Sequence, residues 1–184
     1  MKVKGSAIIS TLDFVDINYG KEGIKRILHV LDETDRKVLN ETLFATFWYP
    51  LRTLINLSRA VDNEFGIGDL SFIRRLGSFS ASHDLRTIYR IFYKIGSPQF
   101  VISRASQVFA TYYDAGNLEV IDSGKSFVVI ELTDFPEVDE VLIQRISGWI
   151  EKTLTLSGGK DVKTVAAIKE RAGKEYVEFN TKWD

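Results

Sequence analysis

The sequence predicts an α+β fold in which about eight helices pack on a four-stranded, mainly antiparallel sheet. Apolar residues recur with helical spacing through the first two-thirds of the chain. From residue 117 onwards they alternate or run continuously, as in strands, and one long helical segment interrupts that region. The chain has 184 residues, 45% of them apolar and 27% charged, which suits one globular domain.

Seven helices are predicted before the pattern changes, each by an apolar stripe and by residues that start or stop a helix. In the first, Ile8, Leu12 and Val15 share a face, and Gly20 ends it as a left-handed residue would. Pro50 suits the first turn of the fourth helix. Gly77 is expected to end the fifth. The predicted helices cover about 5–18, 21–31, 34–44, 50–64, 69–76, 83–95 and 98–115.

Four strands and one further helix are predicted after Gly116. Ser123-Gly124 is a two-residue hairpin signal, and the segment from Phe127 to Leu132 is nearly continuous in apolar residues, as in a strand covered on both faces. The predicted strands are about 117–122, 125–133, 161–169 and 174–183, and the helix is about 138–156. We expect a single domain over 1–184, with a helical part of about 1–116 and a strand–helix–strand part of about 117–184.

Composition excludes several classes of chemistry. The chain has no cysteine, which rules out disulfides, thiolate catalysis, iron–sulfur clusters and cysteine-ligated zinc. Its two histidines, His29 and His83, are too few for a multi-histidine metal site. No apolar run reaches the ~18–20 residues that span a bilayer, and the polar start is unlike a secretory signal, so a cytoplasmic location is expected. A net charge of −1 and a pI near 6.2 argue against nucleic-acid binding.

Three short patterns suggest catalytic or ion-binding motifs, and each has a simpler structural explanation. Ser82-His83-Asp84 names a hydrolase triad, but neighbouring side chains cannot align nucleophile, base and orienting group. The segment 157–161 leads from a helix into a strand, the reverse of a phosphate loop. Four acids suit a helix N-terminus as well as a cation or acid–base site: Asp134, Glu137, Asp139 and Glu140. No enzyme is predicted.

Charge is distributed unevenly along the chain. Residues 71–105 hold six basic residues against Asp84 alone, and residues 117–140 hold seven acids against Lys125 alone. A basic stripe on the predicted helix 83–95 is therefore a candidate partner-binding surface, although an ordinary solvated face explains it too. Its residues are Arg86, Arg90 and Lys94.

Short motifs spread over nearly the whole chain resemble known families. The stretches Gly5-Ser6-Ala7, Leu12-Asp13-Phe14-Val15 and Tyr19-Gly20 resemble the opening helix of the heme-nitric-oxide/oxygen binding (H-NOX) fold. A second set resembles an uncharacterised bacterial family, with paralogues in myxobacteria, related to the 4-vinyl reductase (4VR) domain. That set comprises Trp48-Tyr49-Pro50-Leu51, Gly77-Ser78, Gly96-Ser97-Pro98, Tyr112 to Gly116, Gly148 to Glu151, Ser157-Gly158-Gly159 and Trp183. The resemblance implies a helical body packed on an antiparallel sheet around an apolar pocket.

The cofactor ligands of these relatives have no counterpart here. H-NOX proteins ligate iron through a histidine on the helix before a turn containing Gly-Pro, whereas here that helix runs from Arg86 to Lys94 and His83 stands only at its start. They also grip heme with a Tyr-x-Ser-x-Arg motif, of which the stretch 113–117 keeps only Tyr113. The cysteines with which some 4VR domains bind zinc are absent. The resemblance therefore predicts the scaffold without heme, metal or any other cofactor.

Two functions from different classes follow. The first is a non-catalytic sensory or ligand-binding domain that holds a small apolar molecule between helices and sheet. Five aromatic residues are expected beside it, although aromatic residues also fill cores: Phe47, Trp48, Phe109, Tyr112 and Trp149. The alternative is a homodimeric interaction or adaptor module without a ligand, acting through the basic stripe.

Overall fold

The structure, a computed structural model, describes residues 1–87, 97–136 and 138–184, and gives only the backbone for residues 84–87. The predicted helix 83–95 therefore lies outside the described residues beyond Thr87.

Seven helices and six strands occupy the described part of the chain. The helices are α1 (Gly5–Val30), α2 (Glu33–Asn40), α3 (Leu51–Phe65), α4 (Ser71–Thr87), α5 (Pro98–Ile102), α6 (Ala105–Tyr112) and α7 (Glu140–Leu156). The strands are β1 (Lys2–Lys4), β2 (Trp48–Pro50), β3 (Asn117–Ser123), β4 (Phe127–Thr133), β5 (Lys163–Arg171) and β6 (Lys174–Lys182). The predicted α+β class is confirmed.

The main sheet has the order β3-β4-β6-β5, and each neighbouring pair is antiparallel. Side chains alternate between the two faces of the sheet along each strand, and those on the covered face are apolar. On that face Ile130 of β4 lies opposite Phe179 of β6. Phe179 is fully buried, and Leu118 and Val177 belong to the same core. The four strands agree with the prediction to within a few residues at each end.

The segment between α2 and α3 differs from the prediction. The predicted helix 34–44 ends at Asn40. The backbone that follows accepts hydrogen bonds from the first N–H groups of α1. The N–H groups of Gly5 and Ser6, which have no acceptor within their own helix, donate to the carbonyls of Phe47 (2.9 Å) and Ala45 (3.0 Å). Strands β1 and β2 then pair antiparallel, although no residue pattern predicted them.

The predicted end of a helix at Gly77 is wrong, because α4 continues through Gly77 to Thr87. A Cβ atom on Gly77 would lie 2.0 Å from the carbonyl oxygen of Arg145, and one on Gly148 would lie 2.0 Å from the carbonyl oxygen of Arg74. The two glycines therefore face each other's helix and let the backbones of α4 and α7 approach closely. The predicted helix 98–115 is instead two helices, α5 and α6, because Arg104 leaves helical geometry (φ −117°, ψ 6°).

Helix α7 is positioned between α4 and the sheet. Its buried residues Leu142, Ile146, Ile150 and Leu154 recur every four residues along one face. Helix α5 packs beside α7, and helix α6 packs on strand β3. No helix among the described residues is both long enough and apolar enough to cross a membrane.

Candidate functional site

A largely apolar cavity of about 80 Å³ lies between helices α6 and α7 and strands β3 and β4. The sheet contributes Leu118 and Ile130 to its wall, and both side chains are buried. The α6 wall consists of Ala105, Val108, Phe109 and Tyr112, and the α7 wall consists of Arg145, Ile146, Trp149 and Ile150.

A second chamber of about 40 Å³ adjoins the first on the side of α5. Residues common to both walls include Ala105, Ile130 and Trp149. The wall of the second chamber also includes Ile102 and Thr153, both of them buried. The two chambers together form an elongated apolar space along one side of α7.

One end of the first chamber is polar and carries a buried positive charge. The Nη2 atom of Arg145 donates to the carbonyl oxygen of Ala7 at 2.9 Å and to Oγ of Ser80 at 2.7 Å. Ser80 Oγ lies 2.7 Å from Oγ of Ser10. These hydrogen bonds tie α1, α4 and α7 together at the end of the cavity. A buried charge needs such partners because it has lost its hydration.

Tyr113 lies on the cavity wall near that charge. Burial raises the pKa of the Tyr113 hydroxyl above its ordinary value of 10.0, and the positive charge of Arg145 partly opposes the shift. The folded protein therefore favours the neutral phenol more than the unfolded chain does.

This shift predicts a loss of stability in alkali. The raised pKa contributes stability that is fully present below about pH 10 and is lost as pH rises through the pKa of the folded state. We expect the free energy of unfolding to fall above pH 10, and to fall less steeply in Tyr113→Phe. Urea denaturation between pH 8 and 11 checks this, with Tyr19→Phe as the control. Equal slopes in wild type and Tyr113→Phe would contradict the assignment.

The side chains of Ser147, Trp149 and Thr153 on α7 each have a buried polar atom without a hydrogen-bond partner among the described residues. The indole Nε1 atom of Trp149 is buried without an acceptor, and the hydroxyl of Thr153 is buried without any hydrogen bond. Arg145, Trp149 and Thr153 stand four residues apart, so they lie along one face of α7. All three contribute to the walls of the two chambers. The polar residues Arg145 and Thr153 were not among the predicted site residues, although their spacing from Trp149 is visible in the sequence.

The predicted ligand-binding residues fall into two groups. Phe109, Tyr112 and Trp149 line the first chamber, and the rings of Tyr112 and Trp149 meet edge to face at 6.1 Å between centroids. Phe47 and Trp48 lie outside the lining of both chambers, with 59% and 40% of their surfaces exposed. They belong to the segment that pairs with the chain start, where Lys4 Nζ lies 3.8 Å above the Trp48 ring.

The predicted partner-binding residues cannot be placed in the same way. Arg90 and Lys94 lie outside the described residues, and only the backbone of Arg86 is described.

Comparisons with known proteins show the fold of the chain. No family model matches the sequence, and no curated protein matches it. The unliganded Fe(II) H-NOX protein from K. algicida is 12% identical over 98% of this chain and 96% of its own, with a TM-score of 0.71. The H-NOX protein from S. oneidensis in its Fe(II)NO state is 10% identical over 98% and 99%, with a TM-score of 0.71.

A third solved structure leads to the same conclusion. An oxygen-binding H-NOX domain related to soluble guanylate cyclases is 13% identical over 98% of this chain and 95% of its own, with a TM-score of 0.67. The chain therefore has the H-NOX fold. The relation to 4VR domains stays a prediction.

The described residues do not fit a heme. His29 is exposed, and His83 is partly exposed with its Nε2 atom 3.7 Å from Asp13, so neither histidine of the chain lines the cavity. The volume is also too small, since an engineered cavity of about 150 Å³ holds a single benzene. The two chambers, at about 80 and 40 Å³, are smaller than that together. A porphyrin contains four pyrrole rings and needs several times that space.

Proposed function

We propose that this protein is a heme-free, non-catalytic sensory domain of the cytoplasm that holds a small, mainly apolar molecule in the two chambers between α5, α6, α7 and the sheet. The proposal rests on one observation, an apolar cavity bounded by Phe109, Tyr112 and Trp149 in a chain with the H-NOX fold. One neighbour with this fold is an oxygen-binding domain in its oxygen complex and another is in an Fe(II)NO ligation state, so the scaffold is compatible with small-molecule sensing.

The chambers set the size of the molecule. A cavity of about 150 Å³ that is lined by apolar side chains stays dry and accepts benzene or xenon. The larger chamber offers about 80 Å³ and the smaller about 40 Å³, which on this scale suits a molecule of about three to five non-hydrogen atoms. Binding would gain roughly 25 cal/mol for each Å² of apolar surface removed from water.

The fold offers a route from the cavity to the rest of the molecule. Helix α7 lines both chambers with one face and contacts α4 through Gly148 with another. No side chain separates the two backbones at that crossing, so a shift of α7 would displace α4 directly. A ligand that prefers one arrangement by ~1–3 kcal/mol would then produce a signal.

The experiment is ligand-dependent stability with isobutene, which has four carbon atoms, as the apolar probe. We expect the free energy of unfolding to rise by about 2.7 kcal/mol when the probe reaches 100 times its Kd. Ala105→Leu fills space shared by both chambers and should abolish the rise, whereas Ala110→Leu, exposed on the same helix, should retain it. Native mass spectrometry of the purified protein would reveal a molecule already bound. The proposal would be overturned if neither this probe nor a polar probe of equal size stabilised the wild-type protein.

A further inference from the structure

We propose that strand β5 binds the same strand of a second copy of this chain, so that two main sheets join edge to edge in an antiparallel homodimer. The strand stands at the end of the sheet order β3-β4-β6-β5, and its pairing with β6 leaves its other side open. Among the described residues that line the two chambers, none belongs to β5. The proposal therefore goes beyond ligand binding and does not depend on it.

Thr164, near the start of β5, shows which backbone groups face the open edge. Its N–H donates to Oε1 of Glu151 at 2.8 Å, and its carbonyl oxygen accepts from Nη1 of Arg74 at 3.3 Å. Both partners are side chains of helices, so the backbone of Thr164 points away from β6. The ion pair between Arg74 and Glu151, at 3.0 Å, thus occupies this end of the edge and prevents another strand from pairing there.

The next three residues in phase with Thr164 are Ala166, Ile168 and Glu170. Backbone direction alternates along an antiparallel strand, so their N–H and C=O groups face the open edge as well. Within the described part of the chain, no hydrogen-bond partner is found for these outward groups. The edge therefore carries three donors and three acceptors in one regular row, which is a template for a further strand.

The two ends of this row are symmetric about Ile168, which favours a second copy over an unrelated strand. The occupied Thr164 lies four residues before Ile168, and the turn residue Ala172, with a φ of 53°, lies four residues after it. A two-fold axis at Ile168 pairs Ala166 of each copy with Glu170 of the other. Each directly opposed pair exchanges two hydrogen bonds, so the register forms six bonds and uses every free group of the row.

Charged side chains on β5 are drawn away from the open edge. Nζ of Lys169 donates to Oε1 of Glu178 on β6 at 2.6 Å. Arg171 reaches across β6 to the buried carboxylate of Glu131 on β4, with two hydrogen bonds at 2.7 and 3.0 Å. Exposed lysines commonly protect an edge strand from pairing, but these two cations are held over the sheet and leave the edge accessible.

The opposite edge of the sheet is less suited to pairing. The register of β3 against β4 shifts between Val120 and Asp122, as at a β-bulge, and bulges disrupt the regular row of groups that a partner strand needs. The register of β5 against β6 is unbroken from Lys163 to Arg171. Strand β5 also leaves Val165 and Ile168 exposed, at 70% and 47%, and a second copy would cover part of this apolar surface.

Cross-linking tests the proposed register, and the chain suits it because it contains no cysteine. Directly opposed Cα atoms of a hydrogen-bonded antiparallel pair are about 5.5 Å apart, which is within disulfide range. We expect Ile168→Cys, oxidised with diamide, to form a covalent dimer about tenfold faster than Glu170→Cys, whose two copies would lie about 13 Å apart along the strands. Ile121→Cys, half exposed on β3, is the control for random collision and should be equally slow.

The association of the chain without a cross-link is measured by light scattering after size exclusion. Six hydrogen bonds make a small interface, so we expect a Kd of about 10 µM and a mass that rises with concentration from 20.9 kDa toward twice that value. Ile168→Pro removes an edge N–H that β6 does not use, so it should leave the fold intact and shift the protein to monomer. Ile121→Lys should dimerise like wild type.

Three results would overturn the proposal. They are a wild-type protein that stays monomeric at about 1 mM, a dimer that survives in folded Ile168→Pro, and equal rates of cross-linking for the three cysteine variants. Circular dichroism establishes whether Ile168→Pro is folded. If it is not, the cysteine variants decide, because they leave every backbone group of β5 in place.

Discussion

Gly148→Ala is expected to lower the free energy of unfolding by about 3 kcal/mol, although alanine is the better helix former. Gly148 lies within α7 and has ordinary helical neighbours on both sides. Intrinsic propensity alone would make the alanine variant more stable by roughly 0.5–1 kcal/mol. The expected change in the free energy of unfolding is therefore opposite in sign to the change that helix propensity alone would produce.

The reason is the crossing of α7 over α4. A Cβ atom at position 148 would lie 2.0 Å from the carbonyl oxygen of Arg74 and 2.8 Å from its carbonyl carbon. Those atoms belong to backbone and cannot rotate away, so the helices must separate. Gly77 makes the reciprocal approach to Arg145 from α4. Separation of the helices would also loosen packing beside the cavity, because the same turns of α7 carry Arg145 and Trp149.

Urea denaturation of wild type and variants measures the effect. Gly158→Ala is the control, because Gly158 has a positive φ of 109° and open space around its Cβ position. It should cost only about 1 kcal/mol, from backbone strain alone. Gly77→Ala combined with Gly148→Ala should cost less than the sum of the single changes, since one separation of the helices relieves both clashes. If the Gly148→Ala protein were as stable as wild type, α4 and α7 would be able to separate at their crossing without loss of stability.

The two glycines mark a limit of sequence-based prediction. A glycine after an apolar stripe indicates either the end of a helix or a close helix–helix contact, and the local sequence is the same in both cases. Gly20 interrupts helical geometry with a φ of 65°, as predicted, whereas Gly77 does not. The difference depends on α7, which is about 70 residues away in the chain. Strands β1 and β2 were not predicted either, because three residues are too few to show the alternation of a strand.

The residues of the candidate site, like the elements of the fold, could be predicted from the sequence only in part. Aromatic residue type, together with the resemblance to a fold with an apolar pocket, led to Phe109, Tyr112 and Trp149, which line the first chamber. The same criterion selected Phe47 and Trp48, which it could not separate from the others because residue type does not reveal which side of an element faces the cavity. The missing partners of Trp149 and Thr153 depend on packing between elements and have no local signature.

Arg145→Ala should lower the free energy of unfolding by about 3–4 kcal/mol. The change removes charge-assisted hydrogen bonds to the Ala7 carbonyl and to Ser80, each contributing about 1.5–3 kcal/mol. It also enlarges the first chamber, and each added Å³ of void costs about 24 cal/mol. Two effects offset part of this loss. Ser80 keeps its hydrogen bond with Ser10, at 2.7 Å between the hydroxyl oxygens, and the variant no longer has to bury a charged guanidinium.

Chemical denaturation of a series of variants separates these contributions. Arg145→Met restores most of the volume without the hydrogen bonds, so it should be more stable than Arg145→Ala by about 1–2 kcal/mol. Arg59→Ala is the surface control, since Arg59 is half exposed, pairs with Asp139 at 3.1 Å, and should cost no more than about 1 kcal/mol. If Arg145→Ala costs no more than Arg59→Ala, the polar end of the cavity does not hold α1, α4 and α7 together.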